Sequence, residues 1–176
     1  MATDSPGSLR EPGLKFLYKP PGDYAKLIYK MPKVTTNNLN ETKVLAKEIV
    51  NKLGLAAKGA TILALFGDLG AGKTSFTQGV AEALGIAETI SSPTFVIEKI
   101  YDLQNQSFHK LIHIDAYRLE SGSDLLKLGF MDILADETNL IILEWTENVL
   151  EILPPTINKI NFKFVDENTR EINYEI

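Results

Sequence analysis

A chain of 176 residues, 44% of them hydrophobic and 23% charged, has the balance of a globular protein and the length of one domain with one main core, which excludes a fibrous or wholly disordered architecture. It holds no cysteine and only two histidines, His109 and His113, which removes disulfides, thiol nucleophiles, iron–sulfur clusters and a histidine- or cysteine-ligated zinc. A net charge of −5 argues against autonomous binding to a nucleic-acid backbone, which needs a concentrated basic face.

In chain order, residues 1–33 come first. They contain Pro6, Pro12, Pro20, Pro21 and Pro32 and six Lys or Arg against three Asp or Glu. With no sustained apolar period, they read as a poorly ordered, solvated extension holding at most short extended pieces such as residues 26–31, ahead of a single domain over 34–176. No apolar segment of signal-peptide or membrane-spanning length occurs, so the expectation is a cytoplasmic protein with no membrane partner.

From Leu39 the pattern becomes helical. Leu45, Ile49, Val50 and Leu53 recur at helical spacing, with Asn40 as the candidate N-cap and Gly54 as the candidate stop. Thr61–Phe66 is a continuous apolar run between glycines, the mark of a strand buried on both faces. After a glycine-rich segment, Phe76, Val80 and Leu84 share one face of a helix that Gly85 ends. A strand is expected over residues 94–101. Two further apolar runs, 111–114 and 140–143, lead into Asp115 and Glu144. Residues 157–165 and 170–176 flank a turn and read as a hairpin. The expected fold is α/β: a P-loop NTPase-like three-layer sandwich whose mixed sheet has a parallel centre and antiparallel edge strands.

The glycine-rich segment is the most informative. Gly67-Asp68-Leu69-Gly70-Ala71-Gly72-Lys73-Thr74 fits G-x-x-x-x-G-K-[ST], and it lies between a buried-type strand and an amphipathic helix, as that motif requires. Glycines let successive N–H groups turn inward on phosphate oxygens, and the helix that follows presents its positive end to the same anion. Lys73 can neutralise the outer phosphates, and the Thr74 hydroxyl is a hard oxygen suited to Mg²⁺. The expected ligands are therefore ATP and Mg²⁺, held by residues 67–75 including Ser75.

Hydrolysis needs a carboxylate at the end of a strand near the loop, to hold the metal shell or to orient water. Asp115 and Glu144 both qualify, and spacing does not divide the roles. His113, between Ile112 and Ile114, is either a packed hydrogen-bonded residue or a participant in the site. Arg118 either contacts phosphate or forms a structural ion pair. Thr94, in Ser92-Pro93-Thr94, either senses the terminal phosphate or belongs to a plain turn. Trp145, the only tryptophan, follows Glu144 directly, so its fluorescence is expected to respond to nucleotide.

Taken in order and at these distances, the 67–74 loop, Ser92-Pro93-Thr94-Phe95, His113-x-Asp115-x-Tyr117-Arg118-Leu119 and Glu144-Trp145 resemble the TsaE family, the ATPase subunits of the bacterial tRNA threonylcarbamoyladenosine machinery. The likeness spans about residues 37–176. It implies a Mg-dependent ATPase, weak alone, that joins a threonylcarbamoyl transferase subunit and its paralogous companion (TsaD and TsaB types) and meets tRNA only through that complex. Carried over by position, Thr74 and Glu144 become metal ligands, Lys73 the phosphate lysine and Asp115 the catalytic or water-positioning acid. Thr94 falls in a switch loop. The base is expected near residues 39–42 and 169–170. Thr146 stands where the family often has proline, and the extension over 1–33 has no counterpart in it.

Partner dependence also follows from composition. The chain has three arginines, Arg10, Arg118 and Arg170, so few cations besides Lys73 are on hand for transition-state charge, and an arginine supplied in trans can add 10³ to 10⁵ in rate. A small-molecule kinase is disfavoured by the lack of an arginine-bearing lid, and a GTPase by the lack of an N-K-x-D string. A nucleotide-gated assembly module, in which binding rather than hydrolysis matters, stays open as the alternative.

Overall fold

The structure is a computed structural model, and it describes residues 31–176. Apart from its last three residues, the 1–33 extension, including the 26–31 piece but for Met31, lies outside the described residues. Seven strands form one sheet: β1 (Lys33–Thr36), β2 (Thr61–Phe66), β3 (Glu98–Asp102), β4 (Lys110–Asp115), β5 (Asn139–Glu144), β6 (Asn158–Phe164) and β7 (Arg170–Glu175). Their order is β1-β7-β6-β2-β5-β4-β3. The four central strands β6, β2, β5 and β4 run parallel, whereas β3, β7 and β1 pair antiparallel at the edges. This is the mixed sheet expected from the sequence.

Alternation along the buried strands divides the core into two layers. Leu63 and Leu65 of β2, with Leu111, Leu140 and Ile142, face helices α1 (Leu39–Val50) and α2 (Lys73–Ala83). Ile62, Ala64 and Phe66, with Ile112, Ile114, Ile141 and Leu143, face the short helices α3 (Gly122–Leu126) and α4 (Phe130–Ala135) through Leu125 and Phe130.

Several local expectations are corrected. Helix α1 is capped by Asn38, not Asn40: the Asn38 Oδ1 accepts from the Glu41 N–H at 2.9 Å, which satisfies one first-turn donor, and the Glu41 carboxylate accepts from Asn38 Nδ2 at 2.8 Å and from the Asn37 N–H at 2.7 Å. The same helix ends at Asn51 rather than Gly54. The strand expected over 94–101 begins only at Glu98, because residues 93–97 form a turn closed by the Ile97 and Val96 amides on Pro93 O, with Ile97 at φ 70°. A β-branched residue at positive φ cannot continue a strand.

Helices α1 and α2 meet at Gly79. A Cβ there would stand 2.7 Å from Lys43 Cα and 2.8 Å from Ala46 Cβ, so the two backbones touch only because Gly79 has no side chain. Gly79→Ala is expected to force the helices apart and destabilise the fold by about 1–3 kcal/mol, read as a lower denaturation midpoint with unchanged slope.

Candidate functional site

Parallel pairing brings the C-terminal ends of β2, β5 and β4 to one edge of the sheet. Leu65 pairs with Glu144, and Glu144 with Asp115, so both strand-end acids stand beside the loop that leaves β2. Glu144 is on the strand next to β2, and Asp115 is one strand further out. The loop turns on three glycines with positive φ, Gly67 (135°), Gly70 (77°) and Gly72 (106°). At Gly67 this is obligatory, because a Cβ would collide with the backbone oxygen of Phe162. Gly72 starts α2 with no side-chain cap, which leaves the first N–H groups of that helix for an incoming anion.

Lys73 lies across this loop. Its Nζ donates to Gly67 O at 2.6 Å and to Asp68 O at 3.0 Å, and it sits 3.9 Å from the centre of the Trp145 ring. The side chain is almost wholly buried, and that desolvation lowers its pKa below the ordinary lysine value, against the opposing charges of Glu144, Glu147, Asp115 and Asp68.

Two hydroxyl–carboxylate groups flank the lysine. The Thr74 Oγ1 donates to Glu144 Oε2 at 3.1 Å, and the other oxygen of Glu144 meets His113 Nε2 at 2.9 Å. Asp115 Oδ2 accepts from both Ser92 Oγ and Thr94 Oγ1, the latter at 2.6 Å, and its Oδ1 accepts from the Tyr117 N–H at 2.9 Å. Every oxygen of Asp115 is thereby engaged by the 92–94 turn or by the turn that follows β4.

These groups open on a cavity of about 350 Å³. It is lined by Gly70, Gly72, Lys73, Thr74 and Ser75, by Thr94, Asp115 and Glu144, and by Trp145 and Arg170 among others. Of the residues singled out from the sequence, Gly67 and Asp68 reach the site through the carbonyls that hold Lys73. Ala71 is packed in the helix-side core, and its amide is bonded to Asp68 O. Arg118 does not line the cavity; it is exposed, with its guanidinium 5.9 Å from the Phe95 ring centre. Among the described residues it forms no ion pair. Trp145 takes a left-handed backbone (φ 57°, ψ 42°) between β5 and the following turn, which swings its ring over Lys73 and to 5.0 Å from Tyr117. Arg170, on β7, stacks 4.8 Å from Phe164 and donates to the carbonyls of Asp166 and Thr169.

The donor set suits a hard divalent cation, since Thr74 and Glu144 offer oxygens close together at the mouth of a loop built for anions. Among the described residues no cluster of three or more His, Asp or Glu forms a protein-only cage; such an ion would complete its shell from phosphate and water, as Mg²⁺ does.

One charged group near the site was not legible in the sequence. Both carboxyl oxygens of Glu147 are buried without a partner in another described residue, and burial pushes its pKa above the ordinary 4.5, only partly countered by its own backbone N–H and by Lys73. A raised folded pKa means that the protonated carboxyl stabilises the fold below about pH 4.5 and that this contribution is lost as pH rises through the folded value. Glu147→Met is therefore expected to stabilise the ligand-free protein by about 1 kcal/mol near pH 7–8, with the gain closing toward pH 4 in paired thermal melts.

The chain is similar to known proteins over most of its length. The family model described as threonylcarbamoyl adenosine biosynthesis protein TsaE matches residues 36–172. The tRNA threonylcarbamoyladenosine biosynthesis protein TsaE of Bacillus subtilis is 39% identical over 145 residues, covering 82% of this chain and 85% of the relative. That of Rickettsia felis is 38% identical over 135 residues, covering 76% and 74%. A crystal structure of YdiB from Bacillus subtilis superposes with a TM-score of 0.64 at 35% identity, covering 82% of this chain and 84% of that one.

Proposed function

The chain belongs to the TsaE family of threonylcarbamoyl adenosine biosynthesis proteins, and from that premise we propose that it is a Mg²⁺-dependent ATPase whose slow, partner-stimulated turnover supports threonylcarbamoyl modification of the tRNA adenosine beside the anticodon. The observation that carries this reading is the convergence of Lys73, Thr74, Glu144 and Asp115 on one cavity beneath the N-terminus of α2.

In this reading amides of the 67–75 loop other than that of Ala71, which bonds Asp68 O, grip the phosphates, and Lys73 leaves the carbonyls of Gly67 and Asp68 to bond them. Thr74 and Glu144 would hold the metal, which would supply positive charge against the terminal phosphates. Asp115 orients the attacking water and takes its proton. The base lies toward Arg170 and the start of α1.

The way Asp115 is held suits this role. With Ser92 and Thr94 both on Oδ2 and Tyr117 on Oδ1, three of the carboxylate's roughly four acceptor positions are taken, and one on Oδ1 is left for a water. Phe95 and Val96, in the same turn, are 88% and 63% exposed. The partners are the transferase subunit and its paralogous companion, and tRNA is reached through them. A cytoplasmic protein is the matching reading; no described helix is long and apolar enough to cross a membrane.

Trp145 reports on this directly. Because Lys73 stands over its ring, drawing the ammonium away to a phosphate is expected to change the emission saturably when Mg·ATP is added, with GTP much weaker. Emission that ignores ATP at millimolar concentration, in protein shown to be folded, counts against nucleotide binding at this loop.

A further inference from the structure

We infer that His113 is a positioning residue for Glu144, fixing which of its two carboxylate oxygens faces the metal; the inference rests on the Mg·ATP reading above. His113 lies on the central parallel strand β4, between Ile112 and Ile114, which point into the opposite core layer. Its own side chain shares the face of Asp115, two residues on, and its pairing partner on β5 is Ile142, two residues before Glu144. That diagonal is within reach of long side chains on one face of a sheet.

The contact divides the labour of the carboxylate. Glu144 Oε1 meets His113 Nε2 at 2.9 Å, whereas Oε2 accepts from Thr74 Oγ1 at 3.1 Å. Since an ionised carboxylate only accepts, the proton belongs on Nε2. His113 thereby turns Oε2 toward Thr74 and the cavity, and it occupies the oxygen that would otherwise compete for the ion. Partners of this kind, behind a ligand, set metal affinity without touching the metal.

A merely structural histidine is the poorer account of the position. The side chain is fully buried, and its Nδ1 has no hydrogen-bond partner among the described residues, so the imidazole leaves one polar atom unsatisfied there, at a cost that an apolar side chain of similar size avoids. Its one hydrogen bond goes to Glu144.

The test separates metal linkage from folding and from nucleotide binding itself. ATP affinity is measured by calorimetry at saturating Mg²⁺ and again in excess EDTA, and the ratio of the two is compared among wild type, His113→Leu and His113→Gln, with thermal melts alongside. The expected result is a ratio lowered by about tenfold or more in His113→Leu, an EDTA affinity close to wild type, and substantial rescue by His113→Gln, whose amide can donate to Glu144. An unchanged ratio in folded His113→Leu, or equal losses with and without metal, overturns the inference while leaving the ATP reading intact. Wild-type protein that binds no ATP removes both. Long-range ¹⁵N–¹H NMR on the wild type keeps the question decidable if the Leu variant does not fold: the ring proton is expected on Nε2, and a proton on Nδ1 alone overturns the assignment.

Discussion

Asp115→Asn is expected to lower ATP turnover by about 10²- to 10⁴-fold, the usual contribution of a positioned general base, while leaving Mg·ATP affinity little changed. The substitution is nearly isosteric, and the local structure accommodates it. Asn keeps an acceptor for the Tyr117 N–H, and the hydroxyls of Ser92 and Thr94, which now donate to Oδ2, can rotate to accept from the new amide. What is lost is the ability to take a proton. The measurement is phosphate release in the presence of the two partner proteins, with calorimetry for binding. Turnover at the wild-type rate would assign the acid's role elsewhere, Glu144 first. If tRNA modification runs through many cycles with this variant, the useful output is nucleotide-gated binding and hydrolysis is dispensable.

Lys73→Met is expected to weaken ATP binding by about 10- to 100-fold or more, since hydrogen bonds to a charged group contribute roughly 1.5–3 kcal/mol and each 1.4 kcal/mol is a factor of ten. The folded state without ligand is expected to tolerate the change. Burial lowers the pKa of Lys73, so the native protein binds that proton less tightly than the unfolded chain does. Stability then rises as pH climbs from the lowered folded value to the ordinary 10.5. Methionine removes both the desolvated charge and this alkaline slope, at the expense of leaving the Gly67 and Asp68 carbonyls without their donor. A variant that binds ATP as wild type does, and keeps the slope, would mean that the ammonium neither grips phosphate nor carries the strain of burial.

These expectations rest on features that differ in how openly the sequence displays them. The loop over residues 67–74, strands β2, β4 and β5 and the terminal hairpin were legible because each is local: glycine spacing, continuous apolar runs and a polar turn encode them without reference to the rest of the chain. The cap of α1 is a miss: the sequence reading names Asn40, although Asn38 and Glu41 stand at capping-box spacing. The residues around Phe95 were not legible either. Their apolar character suggests a strand, but the Val96 and Ile97 amides close a turn on Pro93 O, and Ser92 and Thr94 tie it to Asp115, more than twenty residues away. His113 and Glu147 show the same limit. Each is a single polar residue whose meaning depends on which strand lies beside it, and strand order is set by long-range pairing that no local pattern contains.

The account stands on one interaction: a magnesium-bound triphosphate held by the 67–75 loop through Lys73 and Thr74. Titration calorimetry of Mg·ATP against folded wild-type protein and against Lys73→Met tests it most directly. A single site that is saturable in the wild type and weakened at least tenfold in the variant is the result expected. Absence of heat with both proteins, or equal affinity for both, contradicts it.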